Sequence, residues 1–255
     1  MEPTNTQLQE GLMDNIPYDV IELPSKGLFY RNKKGSVKVG YLTAADENII
    51  MSQNLVQSGD MIDVLLRAKI MEPDVIVQEL LECDKEAILI FLRNTAYGSD
   101  YKLSLVDPKT NETFEADVDI SQLKTKDFTL TADSDGYFSF DLPVSQVGIK
   151  FKFLNGLEES ELTSLHKQYQ GKQVVPIATK RLEKQIMEIS GEKDLAVIAK
   201  RIQTMPIKDS QELKKYINDN QPGLDLDYSV IAPSGDQVST RLSFGSAFFR
   251  PFFGV

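Results

Sequence analysis

Residues able to do chemistry are few in this 255-residue chain, which holds one histidine and one cysteine. His166 lies in Leu162-Thr-Ser-Leu-His-Lys-Gln-Tyr169, on the polar side of a stretch with helical spacing. A general-base imidazole needs a nucleophile or an orienting carboxylate aimed at it, and no motif supplies either. A solvated or packing histidine is the expectation. Cys83 stands just before Asp84–Arg93, where Ala87, Leu89/Ile90 and Leu92 fall at core spacing, so it is expected to be buried and inert. One thiol and one imidazole do not furnish a structural zinc or iron–sulfur site, and a single thiol has no intrachain disulfide partner. Asp133 and Asp135 lack the later ligands and closing Glu of a calcium loop, which leaves a turn. Phosphate-cradling glycine strings and nucleophile elbows are absent from the sequence. No catalytic, cofactor or metal residue is assigned.

Two further groups carry charge or aromatic density. Lys180, Arg181, Lys184, Lys200 and Arg201 follow helical spacing among Glu183, Glu188 and Glu192, which describes a solvated face. At the other extreme, Phe248, Phe249, Phe252 and Phe253 crowd together around Arg250-Pro251. Such rings either close the protein's own core or anchor a partner, aromatic and Arg side chains being enriched at the centres of interfaces. Both readings stand. Phe248, Phe249, Arg250, Phe252 and Phe253 are the candidate partner-contact residues.

Composition narrows the class. With 28 Lys+Arg against 38 Asp+Glu the net charge is −10, the wrong sign for a protein that grips nucleic-acid phosphates. A hydrophobic share of 41% and a charged share of 26% are those of a globular protein and exclude wholesale disorder. No apolar run approaches the ~20 residues that span a bilayer. The polar, acidic Met1–Glu10 is unlike a signal peptide, and the expectation is a reducing cytoplasm.

The elements that position these residues follow from periodicity. Residues 1–15 carry no apolar pattern and are expected to be a flexible arm. Extended pieces flank Pro24 and Gly27, and Ser36–Tyr41 alternates as a strand. Helices are expected from Thr43, where Asp46 can bond back to the cap, from Asp60, and over Asp84–Arg93. Tyr101–Val106 and Glu112–Val118 form a hairpin around Asp107-Pro-Lys-Thr-Asn111. A second hairpin is expected between Phe128–Leu130 and Tyr137–Leu142, turning at Asp133-Ser-Asp-Gly136, with a further strand at Val147–Phe153. Helices return at 157–169, 178–189, 193–204 and, capped by Asp209, 210–218. Asp227–Ile231 and Val238–Phe244 then flank Ala232-Pro-Ser-Gly-Asp236. The fold class is α+β.

The order also repeats. Leu23-Pro24, a strand and Tyr41-Leu42-Thr43 before an acidic helix start return as Leu142-Pro143, a strand and Phe153-Leu154-Asn155 before Glu158-Glu159. The expected organisation is an arm (1–15), two related α+β halves (16–125 and 126–245), each ending in a hairpin, and an aromatic tail (246–255). A duplicated unit and a chance likeness between small α+β stretches explain this equally well.

Taken in order, Glu22-Leu-Pro-Ser-Lys-Gly-Leu-Phe-Tyr30, Leu42-Thr-Ala-Ala-Asp-Glu47, Leu92-Arg93 with Tyr97-Gly98, Asp107-Pro108, Leu142-Pro143 and Phe248-Phe249-Arg250-Pro251 resemble the T4-type baseplate hub and hub-assembly family of contractile-tailed bacteriophages. The likeness runs over residues 20–253. It implies a non-enzymatic structural protein of the virion tail baseplate, assembled in the bacterial host cytoplasm and present in several copies. Its partners would be other baseplate and tail proteins, the tape-measure end among them, with no nucleic acid, membrane or cofactor. The alternative it implies is a hub-assembly chaperone absent from the mature particle. Relatives carry Cys-Pro-x-Cys in two hairpin turns, four thiolates suited to one zinc. Here those turns read Asp107-Pro-Lys-Thr110 and Ala232-Pro-Ser-Gly235, which puts that zinc in doubt.

Overall fold

The structure is a computed structural model that describes residues 16–30, 32–169, 174–244 and 246–249. Among them, nine strands and eight α-helices form small antiparallel sheets with helices between, an α+β fold. Contacts divide the chain into two compact units. One holds the residues through Val77, Cys83–Lys126 and those from Gly223 on; the other holds Gln78–Glu82 and Asp127–Pro222. This line differs from the expected halves. The inner boundary lies between Lys126 and Asp127, and the segment from Gly223 on belongs to the first unit. It is tied there by backbone bonds from Lys126 N to Gly223 O and from Asp225 N to Lys124 O, both 2.8 Å.

In the first unit, β1 (Tyr18–Glu22) pairs antiparallel with β2 (Ser36–Gly40), whose alternation buries Val37 and Val39. The chain then enters α1 (Ala44–Ile50), where Asp46 accepts the backbone N–H (2.7 Å) and hydroxyl (2.8 Å) of Thr43, as the sequence suggests. The same carboxylate meets the buried Lys69 ammonium at 2.6 Å, which ties α1 to α3 (Met61–Lys69). Between them runs α2 (Gln53–Ser58), too short for periodicity to reveal and closed by Gly59 in the left-handed region. α4 (Glu82–Tyr97) buries Asp84, Ile88, Leu89, Leu92 and Arg93 along one face. Two hairpins complete the unit: β3 (Asp100–Val106) with β4 (Thr113–Asp119), and β8 (Asp227–Ile231) with β9 (Gln237–Arg241).

The second unit has one three-stranded sheet, β5 (Phe138–Asp141), β6 (Gly148–Phe151) and β7 (Ile186–Ile189), and four helices. These are α5 (Gly156–Gln168), α6 (Ile177–Gln185), α7 (Leu195–Gln203) and α8 (Ile207–Asn220). Its core is aromatic: Phe138, Phe151 and Phe153 meet with ring centroids 5.2–5.8 Å apart.

Three sequence expectations change here. Phe128–Leu130 is not a strand. Phe128 instead lays its ring edge-on to Phe138 (5.8 Å) and Phe153 (6.0 Å), and β5 takes β6 as its ladder partner across Leu142–Val147. The Asp133 turn forms, with Asp133 N bonded to Tyr137 O at 2.8 Å, but opens no ladder. The helix expected over 178–189 stops at Gln185, because Ile186 and Ile189 are buried as a strand paired with β6. Finally, Asp209 lies inside α8 and does not cap it; its carboxylate is used elsewhere.

Candidate functional site

Two groups that a nucleophilic site could use, Cys83 and Asp84, are taken up by packing. Cys83 is buried in α4, and burial together with the neighbouring Asp84 and Glu86 carboxylates raises its thiol pKa far above the usual range, which disfavours the thiolate. Asp84 is also buried, which raises its carboxyl pKa against the opposing pull of its hydrogen bonds. It accepts the backbone N–H of Ser25 (2.9 Å), the Ser25 hydroxyl (2.5 Å) and the Tyr30 hydroxyl. These bonds fasten the Leu23–Tyr30 turn to the first turn of α4. Gly27 permits the turn: its φ is +70°, and a Cβ there would lie 2.5 Å from the Lys34 carbonyl carbon. Among the described residues the Ser25 hydroxyl meets a carboxylate and no imidazole, and the cluster is a latch. The His166 side chain lies outside the described residues.

The second unit contains the same device. After Leu142-Pro143, the N–H groups of Val144 (2.7 Å) and Ser145 (3.0 Å) donate to Asp209 in the first turn of α8. Burial would raise this carboxyl, but the two N–H groups and the Ser145 side chain bring its pKa below the usual value. In each unit the residue after Leu-Pro donates its N–H to an aspartate that opens a helix.

The two hairpins of the first unit meet at their turns. Asp107 accepts the Lys109 N–H at 2.9 Å within its own turn, and the Ser234 N–H (2.9 Å) and hydroxyl (2.8 Å) from the other. Desolvation works to raise the Asp107 carboxyl, but these donors together hold it below the usual range. Farther along, the Tyr228 hydroxyl donates to Asp119 O at 2.9 Å. The four positions of the relatives' Cys-Pro-x-Cys turns hold Asp107, Thr110, Ala232 and Gly235. One carboxylate, one hydroxyl, a methyl and a hydrogen do not fit a tetrahedral zinc site. Among the described residues no group of three or more His, Cys, Asp or Glu is placed to hold a metal ion.

Two of the five candidate contact residues face inward. Phe248 and Phe249 are 1% and 0% exposed. Phe248 packs on Tyr101 (5.3 Å), Phe244 (4.8 Å) and Phe249 (5.2 Å), and it lies 5.5 Å from the Arg93 guanidinium. Arg93, itself buried, also stacks near Tyr97 (5.7 Å) and Tyr101 (5.1 Å). One of its amino groups donates to Asp100 O at 3.1 Å, and desolvation lowers its pKa. These two rings therefore close the protein's own core. Arg250, Phe252 and Phe253 lie outside the described residues.

The basic run on α6 is neutralised within its unit. Arg181 is bidentate on Glu159 of α5, Lys184 pairs with Glu161, and Lys180 with Glu183. Sequence reasoning missed the pairings of Asp84, Asp107 and Asp209, whose partners lie 59, 127 and 65 residues away. The repeated Leu-Pro was the one local signal. Among the described residues no helix is long and apolar enough to cross a membrane.

Comparison with known proteins gives one result. A family model described as T4 bacteriophage base plate protein matches residues 16–229. No curated protein and no solved structure is significantly similar.

Proposed function

From the premise that this chain belongs to the T4 bacteriophage base plate protein family, we propose that it is a structural component of the hub region of a contractile-tail baseplate, acting through protein–protein contacts and not by turnover. The family match over residues 16–229 carries this reading. The internal chemistry supports it: Asp84, Asp107 and Asp209 each spend their acceptor capacity on fixed backbone and hydroxyl donors, which joins segments of the chain. Other baseplate proteins, with the tape-measure end among them, are its proposed partners, and Arg250, Phe252 and Phe253 are proposed contacts to one of them.

A hub-assembly chaperone has the same interior and differs in its fate. Mass spectrometry of gradient-purified virions separates the two. A component remains at a fixed ratio to other tail proteins through repeated purification, whereas a chaperone is found in assembly intermediates and lost from the finished particle.

A further inference from the structure

Among the described residues the outer edge of β1 has no strand partner. Tyr41 N donates to Pro17 O at 2.9 Å and Leu23 N to Gly35 O at 2.8 Å, on either side of the ladder that sets Tyr18 opposite Gly40 and Glu22 opposite Ser36. Antiparallel pairs alternate between bonded and non-bonded. Asp19–Val39 and Ile21–Val37 therefore bond across the ladder, and Tyr18, Val20 and Glu22 turn their N–H and C=O groups outward. Lys38, opposite Val20, shows the same phase from the other side. Its C=O accepts the Met71 N–H and its N–H donates to the Glu72 carboxylate, both at 3.0 Å and both away from β1. Among the described residues no hydrogen bond reaches the corresponding groups of Tyr18, Val20 and Glu22.

Edge strands are ordinarily blunted by lysine, proline, a bulge or a covering segment. Tyr-Asp-Val-Ile-Glu contains no lysine or proline, and its ladder runs without a bulge. Tyr18 and Val20 share one face and are 48% and 57% exposed. Asp19 and Glu22, also exposed, make the strand acidic. A second copy of this chain would bring the same carboxylates and a net charge of −10 against them, whereas a strand bearing lysine or arginine would bring the opposite charge.

We propose that the outer edge of β1 receives an extended, lysine- or arginine-bearing strand of another baseplate protein. That strand continues the β1–β2 sheet through the outward groups of Tyr18, Val20 and Glu22 and covers Tyr18 and Val20 with apolar side chains. The source of the strand rests on the baseplate reading; the open, acidic edge does not.

The test is amide hydrogen exchange of the full chain alone, with a capped heptapeptide alternating Val and Lys, and with its Val/Glu counterpart. In the free chain the amides of Asp19 and Ile21 are expected to be protected and those of Tyr18, Val20 and Glu22 to exchange freely. The lysine peptide should slow the latter three by about tenfold or more, and the glutamate peptide should not. The proposal is overturned if these amides are already slow in the free chain, because its own segment or a second copy then holds the edge. Equal protection by both peptides, or by neither, also overturns it. Two variants extend the test to particles: Val20→Pro removes an outward donor without touching the ladder, and Val20→Lys reverses the local charge with the backbone intact. Both should melt like the wild type and be missing from tails that contain the wild type. If both variants enter tails normally, the edge proposal fails and the baseplate reading stands. If the wild type itself is absent from tails, that reading fails and the peptide arm alone decides the edge.

Discussion

The Asp107 carboxylate at one hairpin turn holds the N–H and hydroxyl of Ser234 at another, at 2.9 and 2.8 Å across 127 residues of sequence. This joint makes one body of β3–β4 and β8–β9. Asp107→Ala should lower the melting temperature more than Ser234→Ala, because it also strips the Lys109 N–H of its acceptor. In a double-mutant cycle the two effects should be clearly non-additive. Additive effects would mean that the turns do not depend on one another.

Phe248→Ala should destabilise the chain by about 3–5 kcal/mol, the cost of emptying a fully buried aromatic site. It also removes one wall of the stack around Arg93. Chemical denaturation measures the loss. A change within about 0.5 kcal/mol, the range of an ordinary surface substitution, would place the ring outside the core.

Deleting residues 250–255 should leave stability nearly unchanged, since Phe248 and Phe249 remain to close the unit. Incorporation into tails should be lost, because Arg250, Phe252 and Phe253 are the proposed contacts. A thermal melt beside a particle-assembly assay checks this. Normal incorporation removes the tail from the list of contacts, and a collapsed melt assigns it to the core.

Asp133 gives a pH signature. The Lys150 ammonium at 2.8 Å, with the Tyr137 and Asp135 N–H groups, holds its carboxyl pKa at about 2, against 3.8 for the unperturbed group. Since the folded-state value is the lower one, its contribution to stability is fully present above about pH 4 and is lost as pH falls through about 2. Denaturant midpoints measured between pH 6 and 2 should drop less steeply in Asp133→Asn than in the wild type. Parallel curves would contradict the assignment.

Much of the fold was legible because its signals are local. The alternation of Tyr101–Val106 and the helical spacing of Leu89 and Leu92 each report one element and one face. Ile186 was misread as helical because the short apolar run Ile-Met-Glu-Ile fits either period, and pairing with β6 decided it. Phe128 was misread because an aromatic beside a good turn looks like a strand, while its ring is drawn to Phe138 and Phe153. The candidate contact residues were only half legible. A cluster of phenylalanines shows that something must cover them, but not that Tyr101 and Arg93 do so for Phe248. The carboxylate latches were invisible for a simpler reason: Asp84 carries no mark of Ser25, 59 residues away, until the chain has folded.

This chain is proposed to build the baseplate by contact with other tail proteins. Electron microscopy of tails from phage lacking its gene tests that most directly, with complementation by the wild type and by the Cys83→Ala/His166→Ala double variant. Few complete tails are expected without the chain, with restoration by both proteins and each recovered in the purified tails. Complete, contractile tails in its absence, or failure of a folded double variant to restore them, would contradict it.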